Sequence, residues 1–313
     1  MKAYFSEYRG ARALAIDTGK ITLLFLPDNG GRLISLIDRR GREWMASETG
    51  ETYRGLTLDS VYIDADVCGM DDMFPTIDPE EAPVRGGVRN GVLYNDHGEA
   101  ARSRYGIARP DNDQLDMHFT SSRLLYRFSK NVTATEEGAA LIHYEIENLS
   151  AEPFPCLYAA HCMLAYAPGA EVLLPFAEGE TVEMCFDEDA QYGVRGDRVP
   201  LTRAMLTAES EGGTGNAYKF YFPEKTPVGE IRYRVGEYEL VMEYDAEKLP
   251  YVGVWMNNGR FKDHPCVTPE PCTLPFDKVS EAEKRGLRAP IPPHGTLEFD
   301  IRLSVEPVSG GAE

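Results

Sequence analysis

A histidine and a glutamate in distant parts of the chain are the residues whose types most directly suggest chemistry. His161 stands in the run AAHCMLAY, and Glu270 stands in the run VTPEPCT. An imidazole and a carboxylate on opposite sides of a bound molecule make a general acid and a general base, which together can move two protons near neutral pH. The sequence therefore predicts acid–base catalysis, provided that the fold brings these two residues together.

Both residues also have a structural interpretation. His161 follows a strand-like stretch at residues 154–158, and a histidine in such a position often donates to a backbone carbonyl in the core. Glu270 lies between Pro269 and Pro271, which restrict the backbone and remove two amide donors. A segment of this kind could hold a carboxylate in place as a base, or it could form an exposed turn.

Two polar segments near residues 72 and 97 are candidates for substrate binding. The run NDHGEAARSR carries His97, Arg102 and Arg104, and bidentate arginine contacts suit vicinal hydroxyls or an acidic group. In the run GMDDMFPTIDP, Asp72 could accept a hydrogen bond from a ligand. Alternatively, Asp71 and Asp72 could bind a hard cation together or cap a turn, and the loop around His97 could simply be solvated.

Trp255 and Asn257 stand two positions apart in the strand-like run YVGVWMNNGRF. Residues at this spacing share one face of a strand. An aromatic ring beside an amide would suit the binding of a sugar ring, although a tryptophan in a β-rich protein is often part of the core. We therefore expect Trp255 and Asn257 either to contact the substrate or to stabilise the core.

Cysteine, metal and cofactor chemistry receive little support from the sequence. Cys266 could be a nucleophile beside His264, but no third group is available to orient them. The six cysteines lack zinc-like spacing, and we interpret them as reduced thiols in a cytoplasmic protein. Glycine-rich phosphate loops, dinucleotide fingerprints and GxSxG elbows are absent from the sequence. We therefore expect no metal and no cofactor.

Charge and hydropathy restrict the possible partners. The chain has 51 acidic and 32 basic side chains and a formal net charge of −19, which disfavours binding to nucleic acid and to anionic membrane surfaces. No run of 18 apolar residues predicts a membrane span, and the N-terminus lacks an apolar segment of signal-peptide length. The expected partner is a small molecule, and the expected state is a monomer or homodimer.

Alternating apolar and polar residues predict an all-β fold. Residues 297–305 and 142–146 alternate as half-buried strands, and residues 231–244 predict a hairpin turning at Gly236-Glu237. Another strand pair is predicted around residues 28–31. The run FDKVSEAEKRGL predicts a helix with Ser280 as N-cap and Gly286 as its stop. Without repeats or linkers, residues 1–313 are predicted to form a single domain.

Four segments, taken in order, resemble the aldose 1-epimerase (galactose mutarotase-like) superfamily. They are GMDDMFPTIDP, NDHGEAARSR, ALIHYEIENLSAEPFPCLYAAH and LPYVGVWMNNGRF…VTPEPCT, and the resemblance covers roughly residues 20 to 305. It implies a β-supersandwich, a large antiparallel double sheet with few short helices and a concave sugar-binding face. It also implies an enzyme that interconverts the α and β anomers of a free sugar or sugar derivative without a cofactor.

The resemblance also implies roles for individual residues. His161 matches the acid that protonates the ring oxygen, and Glu270 matches the base that takes the anomeric hydroxyl proton. His97 matches a histidine that binds substrate near the ring oxygen, while Asp72, Arg102 and Arg104 fall in neighbouring binding segments. We expect Glu270 to be ionised at pH 7 and His161 to be kept partly protonated by negative surroundings.

Departures from the superfamily pattern suggest a divergent branch. Cys162-Met163-Leu164 follows His161, where well-studied mutarotases have proline and an aromatic-Asn-Leu run. Their hydroxyl-binding aspartate has no clear counterpart, and Asn257 or Trp255 would replace it.

Two alternatives to a mutarotase stay open. One is a non-catalytic carbohydrate-binding protein on the same fold. The other is an enzyme acting on a longer saccharide through a pair formed by Asp72 and Glu270. The arginines at positions 85, 89, 102 and 104 leave room for an acidic or phosphorylated sugar.

Overall fold

A computed structural model describes residues 2–108, 113–208, 213–262 and 264–308. In chain order its strands are β1 (Lys2–Tyr8), β2 (Ala11–Asp17), β3 (Ile21–Leu26), β4 (Arg32–Asp38), β5 (Met70–Met73), β6 (Glu80–Glu81), β7 (Leu93–Tyr94), β8 (Gly106–Ile107), β9 (Gln114–Ser121), β10 (Tyr126–Ala134), β11 (Ala140–Asn148), β12 (Ala159–Cys162), β13 (Leu164–Ala165), β14 (Glu171–Leu173), β15 (Thr181–Asp187), β16 (Arg198–Pro200), β17 (Ala217–Tyr221), β18 (Glu230–Val235), β19 (Tyr238–Tyr244), β20 (Tyr251–Asn257), β21 (Cys266–Cys272) and β22 (Thr296–Pro307). Short 3₁₀ helices span Tyr62–Asp64, Ala100–Arg102 and Arg203–Leu206, and one α-helix, α1, spans Val279–Lys284.

Two large antiparallel sheets contain most of these strands. The larger sheet has twelve strands in the order β1-β2-β3-β4-β5-β12-β21-β20-β17-β15-β16, with β13 also paired to β21. The smaller sheet has eight strands in the order β14-β18-β19-β22-β11-β10-β9-β8, and β6 pairs with β7 separately. The predicted all-β fold with few short helices is therefore confirmed.

The core lies on the apolar faces of both sheets. Tyr144 of β11 stands opposite Phe299 of β22, and their rings stack with centroids 4.8 Å apart. One hydrophobic cluster extends from Leu14 to Leu303 and takes residues from both sheets. The inner face predicted from the alternation of residues 297–305 is confirmed.

The predicted turns are present, whereas the helix differs in its N-terminal cap. Val235 pairs with Tyr238 across the hairpin turn, and β3 pairs with β4 around residues 27–31. The helix α1 begins at Val279, so the prediction of Ser280 as N-cap was wrong. Instead, the carboxylate of Glu80 accepts hydrogen bonds from the amides of Val279 and Ser280.

The middle of the larger sheet positions the residues of chemical interest. His161 lies in β12, Glu270 in β21, Trp255 and Asn257 in β20, and Lys219 in β17. These strands are consecutive neighbours in the sheet. Among the helices formed by the described residues, none is long and apolar enough to cross a membrane.

Candidate active site

A cavity of about 400 Å³ is lined by residues of β12, β15, β17, β20 and β21 and by loops from other parts of the chain. Its polar lining includes His97, His161, Lys219 and Asp277, and its aromatic lining includes Tyr62, Phe186, Trp255 and Phe261. The volume falls in the range of small-molecule sites. The cavity therefore brings together side chains from positions 48 to 277 of the chain.

His161 and Glu270 lie side by side. Their strands are antiparallel with Ala159 opposite Cys272, and continuing this register by two residues brings His161 beside Glu270 on the same face. The distance from His161 Nε2 to Glu270 Oε1 is 3.6 Å. The arrangement on opposite sides of a bound molecule, as expected from the sequence, is therefore wrong, because both residues project from adjacent strands of one sheet.

Burial moves the pKa values of these two groups in opposite directions. It raises the pKa of the Glu270 carboxyl above its ordinary value, although the charge of Lys219 opposes the rise. Burial lowers the pKa of His161 well below its ordinary value, and the nearby charges of His97, Lys219 and Arg32 add to this effect. The charges that shift the pKa of His161 are therefore positive and oppose its protonation, so the expectation that negative surroundings favour the protonated form is wrong.

Glu270 is buried in polar surroundings. Its side chain is 0% exposed and does not form part of the cavity surface, so the alternative of an exposed turn is excluded. Oε2 contacts Lys219, whereas Oε1 has no hydrogen-bond partner among the described residues and faces His161. The Nδ1 atom of His161 is also buried without a partner among these residues. No protein acceptor there fixes the imidazole proton on Nδ1, so Nε2 can carry it.

Lys219 is a buried cation that connects two carboxylates. Its Nζ atom lies 2.7 Å from Glu270 Oε2 and 2.7 Å from Asp277 Oδ1. Tyr221 donates its hydroxyl to Asp277 Oδ1 at 2.8 Å, and the Cys185 thiol donates to Asp277 Oδ2 at 3.0 Å. Burial opposes ionisation of Asp277, but Lys219 and these donors hold the pKa of Asp277 below its ordinary value.

An irregularity in β15 brings Cys185 and Phe186 into this network and the cavity. Met184 stands opposite Phe220 and Phe186 stands opposite Lys219, so that Cys185 is an extra residue in the ladder. Adjacent strand residues normally point to opposite faces, and a bulge changes this pattern. As a result, Cys185 contacts Asp277 and Phe186 lines the cavity.

His97 lies at the cavity wall, as predicted for a substrate-binding residue. Its Nδ1 atom is 2.7 Å from Asp96 Oδ1, which leaves Nε2 as the ring nitrogen available to a bound molecule. The His97 ring stacks on Tyr62 with centroids 3.5 Å apart and lies 5.8 Å from the ring of His161. Tyr62 in turn donates its hydroxyl to Asp71 at 2.7 Å. The substrate-binding role of His97 stays a prediction.

Trp255 and Asn257 both line the cavity, but they differ in what they offer a ligand. Trp255 packs with Phe186 and Phe261, each with ring centroids 5.5 Å from its own. The amide of Asn257 donates to the carbonyls of Phe261 and His264 and accepts from the Phe261 amide. Asn257 therefore holds the loop that carries Phe261, while the three aromatic rings form the apolar wall of the cavity.

Asp72, Arg102 and Arg104 do not line the cavity, so their predicted substrate contacts have no geometric support. Asp72 is fully buried, forms an ion pair with Lys130 and accepts the hydroxyl of Tyr158. Arg102 donates to the carbonyls of residues 57, 60 and 96 and so fixes the backbone next to residues that line the cavity. The side chain of Arg104 is 76% exposed and pairs with Asp28.

The proposed cysteine and cation chemistry is also unsupported. Cys266 is buried and lies 3.7 Å from Thr268 Oγ1, and burial raises its pKa to about 11, so it is a poor nucleophile. Asp71 forms an ion pair with Arg32, whereas Asp72 pairs with Lys130. Within the described ranges, no cluster of histidine, cysteine or carboxylate groups has the arrangement of a metal site. The described cysteines are free thiols.

Four residues of the site were not predicted from the sequence: Lys219, Asp277, Tyr62 and Tyr221. The run AYKFYF offered a signal for Lys219, because a single lysine stands among aromatic residues in a strand. No comparable local pattern marks Asp277 or Tyr62, whose partners are distant in sequence.

Comparisons with known proteins provide information about the fold. No family model matches the sequence, and no curated protein matches it. The Slr1438 protein from Synechocystis sp. PCC 6803 has a similar structure, with a TM-score of 0.67 and 13% identity, covering 97% of this chain and 96% of that one. A candidate aldose 1-epimerase from Escherichia coli K12 has a TM-score of 0.66 and 15% identity, covering 94% of this chain and 98% of its own.

A galactose mutarotase-like protein from Lactobacillus casei ATCC 334 is also similar, with a TM-score of 0.62 and 12% identity over 94% of this chain and 100% of that one. Identities of this size relate the folds and leave the activity open. The predicted fold is thereby confirmed: this chain has the galactose mutarotase-like fold.

Proposed function

We propose that this protein is an aldose 1-epimerase-like enzyme that interconverts the anomers of a neutral sugar. The observation that carries the proposal is the 3.6 Å approach of His161 Nε2 to Glu270 Oε1 beside the cavity. The ring oxygen and the anomeric hydroxyl of a sugar are bonded to the same carbon. Two proton-transfer groups that lie side by side therefore suit these two oxygens better than groups on opposite sides of the ring.

The reaction requires two coupled proton transfers. His161 donates a proton to the ring oxygen while Glu270 removes the proton from the anomeric hydroxyl, and the ring opens to the aldehyde. After rotation about the C1–C2 bond, Glu270 returns its proton to the carbonyl oxygen and His161 recovers its proton from the chain hydroxyl. The ring then closes on the other face, and the enzyme is unchanged.

The opposite pKa shifts of the pair support this cycle. The active form of the pair holds one proton, which is on His161 before the ring opens. While the ring is open, His161 has given up this proton and Glu270 holds the proton taken from the anomeric hydroxyl. Because burial raises the pKa of Glu270 and lowers that of His161, the free energies of these two forms approach each other. A proton shared in this way belongs to the pair rather than to either residue.

The charges around the cavity favour a neutral substrate. Among the described residues, the lysine and arginine side chains that line the cavity are Arg195, Lys219 and Lys262. Arg195 pairs with Glu281, Lys219 with Glu270 and Asp277, and Lys262 with Glu48. The arginines at positions 85, 89, 102 and 104 do not line it. An acidic or phosphorylated sugar would therefore lack a free cationic partner.

Magnetisation exchange between the α and β anomers, measured by NMR on a panel of neutral, acidic and phosphorylated sugars, tests the proposal. Replacing His161 with Asn or Glu270 with Gln should lower the enzymatic exchange rate by about 10²–10⁴-fold. His143→Asn and Glu183→Gln are matched controls, because these residues form ion pairs in strands and do not line the cavity. Full activity in both site variants would contradict the assigned roles.

The complete burial of Glu270 favours one alternative, a carbohydrate-binding protein without catalysis. A carboxylate that exposes no surface and pairs with Lys219 could have a purely structural role and stabilise the sheet. Saturation-transfer NMR distinguishes the two functions, since the alternative predicts sugar binding without exchange between anomers above the buffer rate.

A further inference from the structure

A lysine in the middle of the larger sheet has an unusual environment. Lys219 is 6% exposed and lies between Tyr218 and Phe220, which are also buried. Removing an ammonium group from water is unfavourable, and a whole buried group of paired charges can often be replaced by apolar side chains without loss of stability. The presence of a charge here therefore points to an effect of Lys219 on its two partners, Glu270 and Asp277.

The two carboxylates bound by Lys219 are held differently. Asp277 also accepts hydrogen bonds from Tyr221 and Cys185, and its backbone carbonyl accepts the amides of residues 77 and 78. The side-chain donors favour Asp277 as an anion, and the backbone contacts fix its position. Glu270 has its Oε2 atom on Lys219 at 2.7 Å and a longer contact of 3.5 Å from Tyr221, while Oε1 is left to face His161.

We propose that Lys219 is a positioning residue: anchored by Asp277, it favours the ionised form of Glu270 and turns this side chain so that Oε1 faces His161, which lines the cavity. This inference rests on the proposed function and adds a residue to its machinery. Lys219 thereby favours the form of the pair in which His161 carries the proton, and this is the form that can open a cyclic sugar.

The same environment argues against a covalent role for Lys219. Burial alone would lower the pKa of Lys219. The negative charges of Asp277 and Glu270 outweigh this effect and raise the pKa above its ordinary value. A protonated amine has no lone pair to attack the aldehyde of an open-chain sugar. Lys219 therefore acts through Glu270 rather than by forming an imine.

Replacing Lys219 with Met should change the pH profile as well as the rate. Without the cation, the shared proton shifts further towards Glu270, and the population of the form with the proton on His161 falls. Both limbs of the pH–rate profile should move to higher pH, because Lys219 favours proton loss from Glu270 and from His161. At the pH optimum of the wild type we expect the exchange rate to fall about tenfold or more. This is the effect of a change of one unit in the difference between the pKa values of Glu270 and His161.

Three variants separate this effect from a loss of folding stability. Lys219→Arg retains the positive charge and should keep the wild-type pH limbs. Lys130→Met removes another buried lysine that is paired with a carboxylate outside the cavity, and it should leave the limbs in place. Unmoved limbs in Lys219→Met, or an equal movement in Lys130→Met, would overturn the inference.

A spectroscopic measurement tests Lys219 without using activity. In protein carrying ¹³C at the glutamate carboxyls, the Glu270 signal is the one that disappears in Glu270→Gln. The midpoint of its pH titration should lie at higher pH in Lys219→Met than in the wild type. If this holds but wild-type protein does not exchange anomers, the proposed function fails and the role of Lys219 stands. If exchange occurs and the midpoint is unchanged, the role of Lys219 is overturned.

Where Lys219→Met does not fold, the wild-type protein still supplies the test. The ¹⁵Nζ resonance of Lys219 should then show a step at the Glu270 midpoint, and Glu270→Gln should abolish that step. A step that persists in Glu270→Gln would overturn the inference.

Discussion

The contact between Gly253 and Tyr221 allows a quantitative prediction. Gly253 of β20 lies opposite Glu270 on one side and opposite Tyr221 on the other. A Cβ atom built on Gly253 would lie 2.6 Å from Cε1 and 2.9 Å from Cζ of the Tyr221 ring. Tyr221 is fully buried and donates to Asp277 at 2.8 Å. Glycine at position 253 thus makes room for the ring that holds Asp277.

Gly253→Ala should destabilise the protein and disturb Asp277. To restore an ordinary contact of 3.4 Å the ring must move by about 0.8 Å, which would stretch the hydrogen bond to Asp277. Overpacking of this kind lowers the free energy of unfolding by about 1–3 kcal/mol. We expect this decrease in urea unfolding followed by circular dichroism, together with a displaced pH–rate profile.

Gly106→Ala is the matched control, because the nearest atom to its added Cβ lies 3.5 Å away. That variant should unfold within about 0.5 kcal/mol of the wild type. Tyr221→Leu should cost less stability in the Gly253→Ala background than in the wild type, since the smaller side chain relieves the clash. Equal stability of the Gly253→Ala and Gly106→Ala proteins would refute the reasoning.

Three other predictions follow from the site. Trp255→Ala should weaken sugar binding by about tenfold or more in calorimetric titration, because a large aromatic surface is removed from the cavity wall; unchanged affinity would exclude a contact. Arg104→Ala should leave binding within about twofold of the wild type in the same titration, since Arg104 pairs with Asp28 outside the cavity. The folded-state pKa of His161 lies below its ordinary 6.5, so its contribution to stability is present above that pH and is lost as the pH falls. Between pH 7.5 and 5, urea unfolding should therefore show a larger loss of stability for the wild type than for His161→Asn, and parallel losses would contradict the shift.

Local patterns were sufficient to predict much of the β-structure. Period-two alternation located β11 and β22, and the glycine at position 236 located the hairpin of β18 and β19. The cap of α1 could not be predicted, because its acceptor, Glu80, lies about 200 residues earlier in the chain. Local rules describe neighbours in sequence, whereas this cap depends on tertiary contact.

The site was predictable only in part, for the same reason. The resemblance brought His161 and Glu270 into one hypothesis, but it did not provide the strand register that puts them side by side. Asp72 and Arg102 have the chemistry of ligand-binding groups, yet they serve buried ion pairs and backbone carbonyls. Lys219 appears as a polar residue in an apolar run, and only its partners in space show what it does.

The measurement that tests the central claim most directly is anomer exchange by NMR in the wild type, His161→Asn and Glu270→Gln, with folding checked by circular dichroism. We expect the wild type to exchange the anomers of a neutral sugar above the buffer rate, and each variant to lose about 10²–10⁴-fold of this rate. Wild-type rates in both folded variants, or no exchange of any sugar by the wild type, would contradict the roles of His161 and Glu270.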